Sequence, residues 1–273
     1  MSSRDRYRTI ADENAEAFEL GLYEALDGTI VDISAALRMM IGATEVIENP
    51  PALSEHLPRF QTRITLTAED TLSGLERVAQ EAETPACGLN FASARSPGGG
   101  YLRGGNAQEE SLCRATTLYR ALAVQTGFYA ANKAWPNAIY SDAMIYSPGV
   151  LVVRDHHEQL RPDPFRVGIV TAPAPNRKAL AEAGLAGRLE QELDSALSRR
   201  VDRMLRIALA RGHQAIVLGA WGCGVFGNDP CQVAGFFAEA LSGTFSGRFE
   251  RVHFAIPGAE NDENLIAFRR HFS

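Results

Sequence analysis

The sequence predicts an α/β fold: a sheet layered between helices, with a helical extension at the N-terminus. Two observations carry that expectation. Twice, a short apolar run opens into a glycine-rich loop and then a helical pattern: PACGLNF at 85–91 ahead of Gly98-Gly99-Gly100, and AIVLGA at 215–220 ahead of the loop 221–228. Strands covered on both faces read as such unbroken runs, and ligands bind where loops leave their carboxyl ends. Between the two units, the stretch from Leu185 to Arg211 puts Leu189, Leu193, Leu197, Val201, Leu205 and Ala208 on one side of a long helix. The chain has 273 residues, 45% of them hydrophobic, which suffices for a full core.

In chain order, Ala11 to Leu26 is rich in Ala, Glu and Leu, and Ile33 to Met40 continues the pattern after Asp27-Gly28, which predicts two helices joined by a turn. Asn49-Pro50-Pro51 closes this region, dividing the chain into an N-terminal helical extension, residues 1–57, and an α/β domain, residues 58–273. Arg63 to Thr67 alternates like a strand, and Thr71 to Ala82 has helical spacing through Leu72, Leu75 and Val78. Ala143 to Tyr146, Val150 to Arg154 and Phe165 to Thr171 read as strands, separated by Ser147-Pro148-Gly149 and Arg161-Pro162-Asp163-Pro164. The polar run Arg154 to Glu158 makes a hairpin arm. His156 and His157 are neighbours there, so their side chains point to opposite faces and read as surface histidines, not metal ligands. After the second glycine loop a helix runs from about Pro230 to Leu241, Val252 to Ile256 closes the sheet, and Asn264 to Phe272 makes a last helix.

The stretch 89–123 concentrates the chemistry. Gly98, Gly99 and Gly100 lack a Cβ, so the backbone there can lie close against a ligand with its N–H groups turned to an anion. Asn106 stands as helix N-cap, with Glu109 three residues on as its capping-box partner. Leu112, Ala115, Thr116, Tyr119, Leu122 and Ala123 then give one buried helical face. Gln108, Glu109 and Glu110 fall in the first turn. Carboxylates are ordinary in a first turn, but two of them beside a ligand loop are also able to take different roles if one is held while the other faces a reacting bond.

The run NFASARSPGGGY followed by AQEESLCRATTLY, with its triple glycine, seven-residue spacer and Gln108-Glu109-Glu110, resembles the signature of poly(ADP-ribose) glycohydrolases, the compact bacterial type in particular. The resemblance implies a macrodomain-like three-layer fold with a mixed central sheet. It implies hydrolysis of the ribose–ribose O-glycosidic bond of poly(ADP-ribose), releasing ADP-ribose mainly from the chain terminus. It sets Asn90 against the terminal ribose, Gly222, Cys223, Gly224 and Val225 over the diphosphate, and Phe226 on the distal ribose. Such cleavage passes through an oxocarbenium-like state, which needs an acid for the departing oxygen and an activated water, without requiring a metal. Glu110 is expected to supply both in turn. Glu109, by resemblance, fixes the ribose hydroxyls, and its charge together with the ligand diphosphate keeps Glu110 protonated. Many relatives carry an Asp where this chain has Pro257 or Gly258, which leaves the adenine-side contacts open. Two further readings stay open: a reader that binds ADP-ribose without cleaving it, and an enzyme that removes single ADP-ribose units.

The formal net charge of −6 argues against general nucleic-acid binding. The expected partners are the polymer, its product ADP-ribose and poly-ADP-ribosylated proteins. Cys87, Cys113, Cys223 and Cys231 form no Cys-x-x-Cys pair, so neither a zinc site nor a disulfide framework is indicated, and no cofactor is expected. The polar N-terminus lacks the apolar core of a signal peptide, and no run approaches the roughly 18 apolar residues of a membrane span. A cytoplasmic location is the resulting expectation.

Overall fold

The computed structural model describes residues 2–54, 59–82 and 84–272. The boundary drawn between residues 57 and 58 lies outside the described residues. The chain begins with α1 (Ser3–Leu20), β1 (Leu22–Glu24), β2 (Ile30–Asp32), α2 (Ser34–Ala43) and β3 (Glu45–Ile47). It continues through β4 (Arg63–Thr67), α3 (Thr71–Glu81), β5 (Cys87–Phe91), α4 (Gln108–Ala115), α5 (Leu118–Ala123) and α6 (Thr126–Lys133). Then come β6 (Met144–Arg154), β7 (Leu160–Ala172), α7 (Arg177–Glu182), α8 (Ala186–Ala210), β8 (Ala215–Leu218), α9 (Pro230–Ser242), β9 (Arg251–Ala255) and α10 (Glu263–Phe272).

Seven strands form one mixed sheet in the order β3-β6-β7-β5-β8-β9-β4, parallel from β7 to β4 and antiparallel at the β3-β6-β7 side. The central strands show why their sequences are unbroken apolar runs. In β8, Ile216 and Leu218 face a core made with α8, α9 and α10, while Ala215 and Val217 face another made with α1 to α6. Alternate side chains of a strand point to opposite faces, so a sheet covered on both sides needs an apolar residue at every position. The carboxyl ends of β5, β8 and β9 lie along one edge of the sheet, and the loops leaving them gather there.

Four local expectations are corrected. The segment between the first two helices is not a plain turn but the two-stranded antiparallel ladder β1-β2. The apolar face from Leu112 to Ala123 is split into α4 and α5. Thr116 is extended and bridges to Val152, while the Thr117 N–H donates to the Leu151 carbonyl (3.0 Å) and its hydroxyl accepts from the Leu151 N–H (3.0 Å). Strand β6 captures the backbone at the β-branched pair, and the helix stops. Ser147-Pro148-Gly149 does not end a strand; it is a bulge inside β6. Likewise, Pro162 and Pro164 sit inside β7, in the part beyond its pairing with β5, where a missing N–H is tolerated. Among the described residues, no helix is long and apolar enough to cross a membrane.

The N-terminal segment is fastened to the rest of the described chain. Asn14, fully buried, donates to the Arg114 carbonyl (2.8 Å) and the Tyr101 hydroxyl (3.2 Å) and accepts from Arg154 Nε (2.9 Å). β3 adds the edge strand next to β6.

Candidate active site

A cavity of about 680 Å³ opens at the carboxyl ends of the parallel strands, running along α4. Gln108 clamps the start of that helix. Its amide oxygen accepts from the Phe91 N–H (2.8 Å), and its NH2 donates to the Leu89 carbonyl (2.7 Å) and the Thr71 hydroxyl (3.0 Å). All its capacity to reach β5 and α3 is in use, so Gln108 sets where the next two residues stand.

The N-cap is Ala107, not Asn106, and the carboxylate that reaches back is that of Glu110, not Glu109. Asn106 is drawn off to Arg114, whose Nη2 donates to its side-chain oxygen (2.7 Å). Ala107 has no side-chain acceptor, so only half of a capping box exists: its N–H donates to Glu110 Oε2 (2.9 Å). The other oxygen, Oε1, accepts from the Gly100 N–H (2.7 Å). Gly98 and Gly99 have φ of +64° and +58°, open to glycine at little cost. A Cβ on Gly99 would stand 2.6 Å from Glu110 Oε1 and 3.0 Å from Glu109 Oε2. The triple glycine therefore wraps the two carboxylates, and in the free protein the Gly100 N–H serves Glu110 and not a phosphate.

Glu109 also lines the cavity but is buried, with 3% of its surface exposed. It accepts from the Ser93 N–H (2.7 Å) and from Asn90 Nδ2 (3.2 Å). Burial pushes its carboxyl up to about 8, outweighing the Ser93 and Asn90 hydrogen bonds, and the charge of Glu110 pushes in the same direction. Burial thus favours the neutral form of Glu109, while the two donors that reach it, the Ser93 N–H and Asn90 Nδ2, favour its carboxylate. Asn90 is fully buried at the end of β5, where it pairs with Thr171 through backbone register and donates to the Thr171 hydroxyl (3.2 Å). Its Oδ1 is buried with no hydrogen-bond partner, and Asn90 is not among the residues that line the cavity.

The loop after β8 forms another wall. Gly222, Gly224, Val225 and Phe226 line the cavity, and Val225 is 73% exposed. Gly222 has φ of +74°, and a Cβ there would meet Ala174 at 2.5 Å and Asn228 Nδ2 at 2.6 Å. Asn228 holds the loop, donating to the Pro175 (2.9 Å) and Gly222 (3.1 Å) carbonyls, and the Phe226 carbonyl accepts from the Lys178 N–H (3.0 Å). Cys223 does not line the cavity; its thiol turns to the Trp221 carbonyl (3.6 Å). The four cysteines are unpaired.

Several residues of the site escape a reading of the sequence. Ser93 and Thr71 hold Glu109 and Gln108 through ordinary loop and cap positions that carry no motif. Tyr7 and His156 line the same cavity from α1 and from the β6-β7 turn. They converge only because α1 folds back across the loop 98–105. Pro257 and Asn264 line the cavity as well.

A family model described as "Microbial-type PARG, catalytic domain" matches residues 11–155. Among solved structures, the chain is similar to the poly(ADP-ribose) glycohydrolase of Thermomonospora curvata bound to the inhibitor ADP-HPD, at 39% identity and a TM-score of 0.89, over 98% of this chain and 100% of that one. It is also similar to the poly(ADP-ribose) glycohydrolase of Deinococcus radiodurans in complex with ADP-ribose, at 40% identity and a TM-score of 0.79, over 86% of this chain and 96% of that one. A search of curated proteins gives no match.

Proposed function

The chain belongs to the microbial-type poly(ADP-ribose) glycohydrolases, and from that membership we propose how its two adjacent glutamates divide the work. The enzyme hydrolyses the ribose–ribose O-glycosidic bond of poly(ADP-ribose) and releases ADP-ribose. The observation that carries the division is the different setting of the pair: Glu109 buried against Asn90 and Ser93, Glu110 at the cavity wall in the grip of the Gly100 and Ala107 N–H groups.

In this reading the pair enters the reaction holding one proton between them. Ribose hydroxyls donating to Glu109, added to the Ser93 and Asn90 donors, favour its carboxylate form, and the proton passes to Glu110. Glu110 then protonates the leaving 2′-oxygen as the bond to the ribose C1 breaks, leaving an oxocarbenium-like ribose. Water adds to C1 and gives its proton to Glu110, which restores the starting state. Asn90 stands behind the terminal ribose and holds Glu109 through its Nδ2. Gly98 to Gly100 shape the seat of the reacting ribose, and Gly222 to Val225, with the Cys223 backbone among them, cover the diphosphate while Phe226 packs on the distal ribose.

We further propose mainly exo cleavage, because the loop 221–227 and the start of α10 flank the far end of the cavity, where a continuing chain would have to pass. Product sizes on long polymer test this: free ADP-ribose alone at early times supports it, and oligomeric fragments overturn it. A cytoplasmic setting and action on poly-ADP-ribosylated proteins complete the proposal, supported by four unpaired thiols and by the polymer substrate. The glutamate assignment is tested by Glu110→Gln, which should bind ADP-ribose and fail to turn over polymer.

A further inference from the structure

We propose that the end of the cavity bounded by Tyr7, Asn106, Ser111, Arg114, His156 and Glu158 is a subsite for the leaving unit, which takes the adenosine of the penultimate ADP-ribose and its diphosphate. The inference rests on Glu110 acting at the glycosidic bond. The departing oxygen is the 2′-oxygen of a nucleoside, so an adenine and then a diphosphate continue from it. If the terminal unit lies towards Phe226, the rest of the polymer must leave past Glu110 on the other side. The cavity does continue there. The same cavity is lined by Phe226 and Gly222, by Glu109 and Glu110, and by Tyr7 and His156.

That end is built and not merely open. Arg114 is 4% exposed and fixed by the Gly105 carbonyl (2.6 Å), Asn106 Oδ1 (2.7 Å), Ser111 Oγ (3.0 Å) and the Glu158 carboxylate (3.3 Å). Its guanidinium lies 3.8 Å from the centre of the half-buried Tyr7 ring, which holds that ring as a fixed aromatic wall. His156 lines the same cavity, exposed in the β6-β7 turn, where its ring lies 3.9 Å from that of His157, so the turn does not send the two side chains to opposite faces as a strand would. Aromatic faces held in place are the groups on which a base stacks.

The start of α1 and the glycine loop beside it carry charge for a diphosphate. Arg4, Arg6, Arg8 and Arg103 are all exposed in a chain of net charge −6. Asp5 stands among them, and Arg6 shares Glu158 with Arg114 (2.5 Å from Glu158 Oε2). Their distance from the chemistry is one loop thick. Arg4 Nε donates to the Arg103 carbonyl (3.0 Å), a Cβ on Gly104 would collide with the Arg4 carbonyl oxygen, and one on the adjacent Gly105 would stand 2.9 Å from Glu110 Cγ. The first turn of α1 thus packs on the loop that wraps Glu110.

The test compares two substrates: poly(ADP-ribose), and ADP-ribose carrying a small aryl leaving group at the C1 of its terminal ribose, which has no second nucleoside. Tyr7→Ala and His156→Ala should each lower kcat/KM on polymer by roughly five- to tenfold and leave the aryl substrate and the ADP-ribose Kd within about twofold. Tyr7→Phe should behave as wild type. Arg4→Glu with Arg8→Glu should lower polymer turnover and weaken its dependence on salt. Equal losses on both substrates would mean that these residues only hold the loop, and unchanged polymer kinetics in all variants would overturn the subsite. If Tyr7→Ala does not fold, His156→Ala, at an exposed turn, decides the matter alone. Failure of the glutamate assignment would look different: Glu110→Gln would then turn over both substrates.

Discussion

Gly100 and Glu110 stand ten positions apart in the chain and meet through a 2.7 Å hydrogen bond, the N–H of one donating to the carboxylate of the other. The contact joins the glycine loop to the acidic helix start. A spacer of fixed length between Gly-Gly-Gly and Gln-Glu-Glu is what such a contact requires, since the loop must leave β5, turn through Tyr101–Arg103 and return to the head of α4.

Gly99→Ala should therefore abolish most activity. It forces a side chain into a φ of +58° and against both carboxylates, so turnover should fall at least about 100-fold and stability by about 1–2 kcal/mol. Gly127→Ala, on an exposed helical turn with open space around it, serves as the control and should keep full activity. Kinetics and thermal unfolding of both variants check this.

Glu109 makes stability depend on pH. Its carboxyl is raised by burial from 4.5 to about 8, so the folded protein keeps a proton that the unfolded chain releases. Its contribution is fully present below about pH 4.5 and is lost as the pH rises through about 8, a change on the order of a few kcal/mol. Glu109→Gln should remove that slope, unfolding at a higher temperature than wild type at pH 9 and at a similar one at pH 5. Parallel slopes for the two proteins would contradict a protonated Glu109.

Gln108→Ala should loosen the whole site. It leaves the Phe91 N–H and the Leu89 carbonyl without their side-chain partner, which costs about 2–3 kcal/mol in stability. Turnover should fall more than ADP-ribose affinity, because both glutamates lose their registration with β5. Denaturant unfolding and a KM-against-kcat comparison measure the two effects.

How much of this was legible in the sequence depended on how local each feature is. β5 and β8 stood out because a strand buried on both faces leaves no polar position, and α8 because its leucines repeat on one face through many turns. β3 and the β1-β2 ladder are three residues per strand, too short for any period to show. The break at Thr116-Thr117 is imposed by β6, far along the chain. At the site, the motif identified Gln108, Glu109 and Glu110 but not which one caps the helix, since Asn106 is taken by Arg114. Nor could it tell how deeply Glu109 is buried, which results from its packing at the end of β5. Tyr7 gave no signal at all, being brought to the cavity by the packing of α1 on the glycine loop.

The division of labour between Glu109 and Glu110 is tested most directly by incubating wild type and Glu110→Gln with purified poly(ADP-ribose), with products resolved by size and ADP-ribose affinity measured in parallel. Wild type should release free ADP-ribose, while the variant should lose turnover by at least about 100-fold and keep its Kd within a few-fold. A Glu110→Gln enzyme that still releases ADP-ribose at the wild-type rate would contradict the assignment of Glu110 as the acid.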